Sequence, residues 1–289
     1  MSSLLIDSID AQYSFLPHLK GRTHYHRTGP DDGPVVVMVS GATLPLAVWG
    51  PLMEPLLDAG FQIVRYDLPG RGHTPLDGLG SNFQAHLDQL HSLLEGLGIR
   101  QPVRLIGLAS GALIVAAYAE RNRARVSHTC LFAPDGASTR FSLAERLLSM
   151  PILGELLFRF TGQHTLFARI PRYSLRADIR TFVRSLLEFS LTSPGFRKAV
   201  LATVRTFPFH RGSELYSRLA RSGIPTCIIW GREDYITPSD AADAMSALFG
   251  KTSLHILEHV GHLSFVEDPV TVAALLVRHF RDALAARSR

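Results

Sequence analysis

Short apolar runs rich in β-branched residues recur along the chain at Val35–Val39, Phe61–Tyr66, Val103–Gly107, Ser127–Phe132, Pro225–Trp230 and Ser253–Leu257. Each is about five residues long with little polar alternation, the pattern of strands buried on both faces. Between most of them lie stretches with helical spacing of apolar positions: Trp49–Ala59, Asn82–Leu97, Gly111–Arg123, Pro238–Phe249 and Pro269–Ala286. Strand and helix in alternation predict an α/β fold, a mainly parallel central sheet flanked by helices on both sides. Two further runs, Tyr13–Leu19 and Arg22–Thr28, predict a short antiparallel start.

The alternation stops between about residues 136 and 222. That stretch predicts helices only, over Ser142–Ser149, Gly154–Thr161, Ala177–Thr192, Ser193–Thr206 and Gly212–Arg221, with Pro and Gly at the seams. Inserted between two strands of one sheet, it is expected to form an all-helical cap over the C-terminal strand ends, where open α/β sheets place their ligands. The core is then 1–135 with 223–289, and the cap 136–222. Leu, Phe and Arg interleave in the cap. Most of its apolar residues are expected to pack it onto the core, and the rest to roof a cleft that suits a hydrophobic substrate.

Composition removes several classes. Of 289 residues, 46% are hydrophobic and 19% charged, which excludes collagen, coiled coil and disorder. Cys130 and Cys227 both lie in apolar runs, favouring buried thiols over a disulfide framework. The uncharged segment Pro34–Met53 is broken by Pro45, Gly50 and Pro51, so no integral membrane span is expected. The N-terminus lacks a basic region followed by a long apolar one, which makes a cytoplasmic location the default. The net charge is +5, with the arginines spread along the chain rather than gathered in a patch, so no nucleic-acid partner is expected. The histidines lack metal-ligand spacing, and neither metal nor cofactor is expected.

The chemistry concentrates at strand ends. Gly107-Leu108-Ala109-Ser110-Gly111 joins an expected strand to an expected helix through two glycines four residues apart. This is the frame of a nucleophile elbow, G-x-S-x-G, with alanine at the centre. Upstream, Ser40-Gly41-Ala42-Thr43 follows a strand and precedes Trp49; a small-residue loop there can turn a backbone N–H into a site. Pro69-Gly70-Arg71-Gly72 reads as a tight turn. Downstream, Asp234 stands just past a strand, and His262 in the loop after the last one.

In these residues the chain resembles the α/β-hydrolase superfamily of the serine-hydrolase, esterase, lipase and lactonase type. The order elbow, acid, histidine is that family's order. The resemblance implies that Ala109 occupies the nucleophile position, Asp234 that of the triad acid and His262 that of the base. It also implies that the N–H groups of Ala42 and Ser110 form the oxyanion hole. Gly41, Trp49 and Leu263 are expected at the substrate pocket. Ser40 stands where many members carry histidine, and Asp135 is the alternative triad acid, since some relatives use that strand end. The parent reaction implied is hydrolysis of a carboxylic ester or lactone with a hydrophobic moiety; thioester and carbon–carbon bonds are met by the same constellation.

Without a serine, that reaction loses roughly six orders of magnitude where such a loss has been measured in another serine hydrolase. Three readings of Ala109 follow. A serine has been replaced by design so that substrate persists, which the otherwise intact frame favours. A natural member has become a non-hydrolytic binding protein or lyase-like enzyme. Or the register is shifted and Ser110 attacks, which its flanking Leu108 and Ala112 disfavour.

Overall fold

The computed structural model describes residues 14–18, 21–76, 78, 80–137, 147–249 and 253–287. Eight strands form one sheet in the order β1-β2-β4-β3-β5-β6-β7-β8: Ser14–His18, Gly21–Thr28, Val35–Val39, Gln62–Tyr66, Val103–Leu108, Val126–Phe132, Thr226–Gly231 and Ser253–Leu257 for β1 to β8. β1 and β2 pair antiparallel and join β4 antiparallel; β4, β3, β5, β6, β7 and β8 run parallel. Strands β3, β4, β5 and β7 are buried along their whole length. The absence of polar alternation in the sequence has this cause: both sheet faces are covered.

Side chains of a strand alternate between those faces. Val35, Val37 and Val39 of β3 enter one apolar cluster, Val36 and Met38 the other. The first cluster is closed by α2 (Phe83–Gly96), α3 (Ser110–Arg121), α7 (Gly212–Ser222) and α8 (Ala242–Phe249). The second is closed by α1 (Gly50–Asp58) and α9 (Pro269–Arg287).

Between β6 and α7 lie α4 (Leu153–Ala168), α5 (Ala177–Thr192) and α6 (Phe196–Thr206). Phe158 and Leu166 of α4 pack on Phe196, Val200 and Leu201 of α6 as a small core of their own, while Ile179, Val183, Leu186 and Leu187 of α5 join the second sheet cluster. The expected helix at Ser142–Ser149 falls mostly outside the described residues.

One element departs from its expected layer. The helix Gly212–Ser222, expected in the cap, packs Leu215, Tyr216 and Leu219 into the first sheet cluster beside Leu113 and Trp230, so it flanks the sheet. Its apolar stripe has the same spacing whichever surface it meets, so periodicity alone could not assign it. Among the described residues no helix is long and apolar enough to cross a membrane.

Candidate active site

The elbow is a product of close packing. A Cβ on Gly107 would lie 2.7 Å from the Gly111 carbonyl oxygen, and one on Gly111 2.5 Å from the carbonyl oxygens of Val39 and Ser40. Strand β5 therefore turns into α3 in a space only hydrogen atoms can fill. Between the glycines Ala109 takes φ 49° and ψ −114°, a conformation rare for a residue with a Cβ and costing about 1–3 kcal/mol. The neighbouring chain holds it there: Ala109 N–H donates to the Phe132 carbonyl at 2.9 Å, and its carbonyl accepts from Ala112 N at 3.0 Å and Asp135 N at 3.3 Å.

Asp234 and His262 come from the loops after β7 and β8. Those loops approach closely because Gly231 has no side chain; a Cβ there would collide with the carbonyls of Val260 and Gly261. Asp234 is 2% exposed, and each of its oxygens has partners. Oδ1 accepts from the N–H groups of Ile236 and Thr237 at 2.8 and 2.9 Å, and Oδ2 meets His262 Nδ1 at 2.8 Å. A carboxylate accepts, so Nδ1 carries the hydrogen and Nε2 is left with its lone pair for the cavity that His262 lines. His262 N–H donates to the Tyr173 carbonyl at 2.8 Å, and the Tyr173 ring stands edge-on to the imidazole, so the segment between α4 and α5 fixes the imidazole.

A cavity of about 190 Å³ joins these groups. Its floor includes Gly41, Ala42, Ala109, Asp135, Ile236 and His262; Phe158, Leu166, Val200, Val204 and Phe209 form an apolar roof, with Thr165, Arg169 and Thr203 among its polar members. Of the residues expected at the site, Gly41, Ala42, Ala109 and His262 line this cavity. Trp49 and Leu263 are not part of it. Both are fully buried beneath the site in the second sheet cluster, where Trp49 stacks on Phe265 and donates Nε1–H to Ser40 Oγ at 3.0 Å. Large apolar side chains beside a site look alike in sequence whether they face the cleft or the core. Ser110 is 1% exposed and its Oγ has no hydrogen-bond partner; it points into packing and does not line the cavity, which weighs against a shifted nucleophile.

Two further polar groups face the cavity. Asp135 is not the partner of His262, yet its carboxyl lines the same cavity and accepts from Thr237 Oγ1 at 3.2 Å. Burial pushes that carboxyl above the usual range, against the opposing pull of the His262 and Arg169 charges. Arg169, which in sequence is one of many scattered arginines, faces the cavity from the end of α4.

A mainly parallel α/β sheet that carries a strand–turn–helix elbow and a histidine–carboxylate pair at its C-terminal edge defines an α/β-hydrolase. Residues 36–275 match the model of the alpha/beta hydrolase family, and the chain belongs to that family. It is similar to a 2-hydroxy-6-oxononadienedioate/2-hydroxy-6-oxononatrienedioate hydrolase of Pseudomonas putida, 28% identical over 253 residues, covering 83% of this chain and 84% of that one. It is also similar to a pimeloyl-[acyl-carrier protein] methyl ester esterase of Nitrosomonas europaea, 25% identical over 256 residues, covering 85% and 94%. Among solved structures, a thermophilic esterase from Thermogutta terrifontis superposes with a TM-score of 0.77 at 22% identity, covering 94% of this chain and 98% of that one.

Proposed function

We propose that this site derives from a serine hydrolase acting on a carboxylic ester or lactone with an apolar moiety, and that with alanine at position 109 the chain binds such a carbonyl compound without forming an acyl-enzyme. The observation that carries this reading is the backbone of Ala109. It holds the strained elbow conformation at the cavity floor beside an intact His262–Asp234 pair, a geometry whose use is to present a nucleophile.

In the serine form of this site, the hydroxyl at 109 passes its proton to His262 Nε2 as its oxygen attacks the substrate carbonyl carbon. Asp234 holds the Nδ1–H and stabilises the imidazolium. The N–H groups of Ala42 and Ser110 take the developing oxyanion. Collapse of the tetrahedral intermediate breaks the bond to the leaving group, which receives the proton from His262, and water reverses the steps to free the acid. In the chain as it stands every part of this sequence except the attacking oxygen has a residue. The apolar roof favours a hydrophobic acyl or alcohol part. Thioester and carbon–carbon bonds remain within the same chemistry, and the Pseudomonas putida relative, named for a dienedioate substrate, supports the latter.

The test is Ala109→Ser assayed with p-nitrophenyl butyrate. A gain of roughly 10³-fold or more supports the reading. A folded variant with no gain overturns it.

One observation favours a second reading. The Asp135 carboxyl and the His262 imidazole line one cavity, so the chain carries two groups able to exchange protons without a nucleophile. Such a pair suits non-hydrolytic acid–base chemistry on a carbonyl substrate. Solvent deuterium incorporation next to the carbonyl of phenylacetone, catalysed by the unaltered chain and lost in His262→Ala, would establish it.

A further inference from the structure

Arg71 sits in the glycine-rich turn after β4 and is fully buried. Its guanidinium donates to five acceptors. Nε reaches the Ala42 carbonyl at 2.9 Å; Nη1 reaches the Pro69 carbonyl at 2.7 Å and Ser81 Oγ at 3.2 Å; Nη2 reaches the Ala199 carbonyl at 3.2 Å and Thr203 Oγ1 at 2.7 Å. All five are neutral. Burial without a facing carboxylate pushes the guanidinium down to about 9. A buried cation so placed is expensive to keep, and the turn does not require it, because Gly70 and Gly72 supply the positive φ values of 73° and 51°.

What the side chain joins explains its presence. Ala42 belongs to the loop after β3 that borders the cavity floor, and Thr203 belongs to α6 in the cavity roof. The turn itself is seated against the same helix: a Cβ on Gly70 would lie 2.6 Å from Ala199 Cβ, and Ser81 Oγ donates to the Ala199 carbonyl at 3.1 Å. The donors of a guanidinium lie in one rigid plane. If α6 shifts, the two bonds on Nη2 turn that plane, and the Nε–H aimed at Ala42 turns with it. A lysine, with one flexible charge, would transmit no such rotation.

We propose that Arg71 is a positioning residue that couples the seating of cap helix α6 to the alignment of the carbonyl-binding loop at Ala42. The functional half rests on the oxyanion role given to Ala42 above. A substrate that packs against Val200 and Val204 of α6 presses on the helix that carries the Nη2 acceptors, so binding to the roof is conveyed to the group that holds the carbonyl oxygen. That is binding energy used to complete a site.

Amide hydrogen exchange on the full chain tests the coupling without any activity. Thr203→Val keeps the side-chain volume and removes one acceptor, in the cap alone. Exchange is expected to rise about tenfold both in α6 and in the loop 40–46, with β6 unchanged, since a loss near 1.4 kcal/mol in local opening is a factor of ten. Faster exchange confined to α6, or no change in either segment, overturns the proposal. Arg71→Lys, which keeps the charge and loses the fork, is expected to loosen both segments; if it fails to fold, Thr203→Val decides. In an Ala109→Ser background, Arg71→Lys is expected to lower kcat for p-nitrophenyl butyrate roughly 10- to 100-fold with KM within about twofold, the signature of a misplaced group rather than a lost fold. An unchanged kcat overturns the functional half. Should Ala109→Ser itself be inactive, the hydrolase reading fails while the exchange experiment still decides whether cap and loop are coupled.

Discussion

His262 Nδ1 stands 2.8 Å from Asp234 Oδ2, and the lone pair this leaves on Nε2 belongs to a cavity whose floor at the elbow is the methyl group of Ala109. The pair is complete on the side away from the cavity: the second carboxylate oxygen is occupied by two backbone N–H groups, so Asp234 has one geometry open to it. The imidazole is oriented, with a methyl group rather than a hydroxyl beside it in the cavity.

That orientation predicts the behaviour of a serine variant. In an Ala109→Ser background, Asp234→Asn should lower kcat about 10⁴-fold while leaving the fold intact, because an amide in place of the carboxylate favours the wrong imidazole tautomer. Steady-state kinetics with p-nitrophenyl butyrate, paired with thermal melts, measure it. A loss below tenfold would mean that Asp234 is not the orienting acid.

The strain at Ala109 predicts a stabilising substitution. Glycine adopts φ 49° and ψ −114° without a Cβ penalty, and this gain exceeds the extra chain entropy of unfolded glycine. Ala109→Gly should stabilise the chain by about 1 kcal/mol, a rise of roughly 2 °C or more in Tm for a protein of this size. Calorimetry that finds Tm unchanged or lowered would contradict the strained elbow.

The packing behind the elbow predicts the opposite outcome two residues on. Gly111→Ala places a methyl 2.5 Å from two backbone carbonyl oxygens that cannot move aside without disturbing β3. A loss of about 3 kcal/mol or more is expected, at the upper end for overpacking, and denaturant unfolding would register it as a lower midpoint at unchanged slope.

Asp135 predicts a pH dependence. Its carboxyl, faced by His262, Arg169 and Asp234, is held above the value of 3.8 that it has in an exposed setting, with burial the largest cause. As pH rises from below 4 through the folded value, the unfolded chain gives up this proton first, so ionising Asp135 costs stability. Asp135→Asn should therefore raise Tm at pH 7, and the difference from the unaltered chain should close as the pH falls below about 4. Melting curves at both pH values check it. An Asn variant less stable at pH 7 would place Asp135 in a stabilising ion pair instead.

Much of the architecture was legible in the chain. β3 and β8 begin and end where the apolar runs do, and α5 spans the residues its periodicity marks, because strands buried on both faces and amphipathic helices write their environment into neighbouring positions. The elbow was legible for a steric reason: a strand cannot enter a helix that closely unless both flanking positions lack a side chain. Less legible were the layer to which α7 belongs, the core rather than pocket placement of Trp49 and Leu263, and the turning of Arg169 toward the cavity.

By itself, then, the sequence determined the alternating sheet and helices and the glycine-flanked turn from strand to helix, since each follows from the sizes and polarities of residues close together along the chain. Only the tertiary structure decided which carboxylate, Asp234 rather than Asp135, would face His262 Nδ1, and that Arg71 would bind a loop 29 residues before it and a helix 132 residues after it. Such contacts depend on how whole elements stack, and no local pattern in the chain records the direction in which a long polar side chain will find its partner.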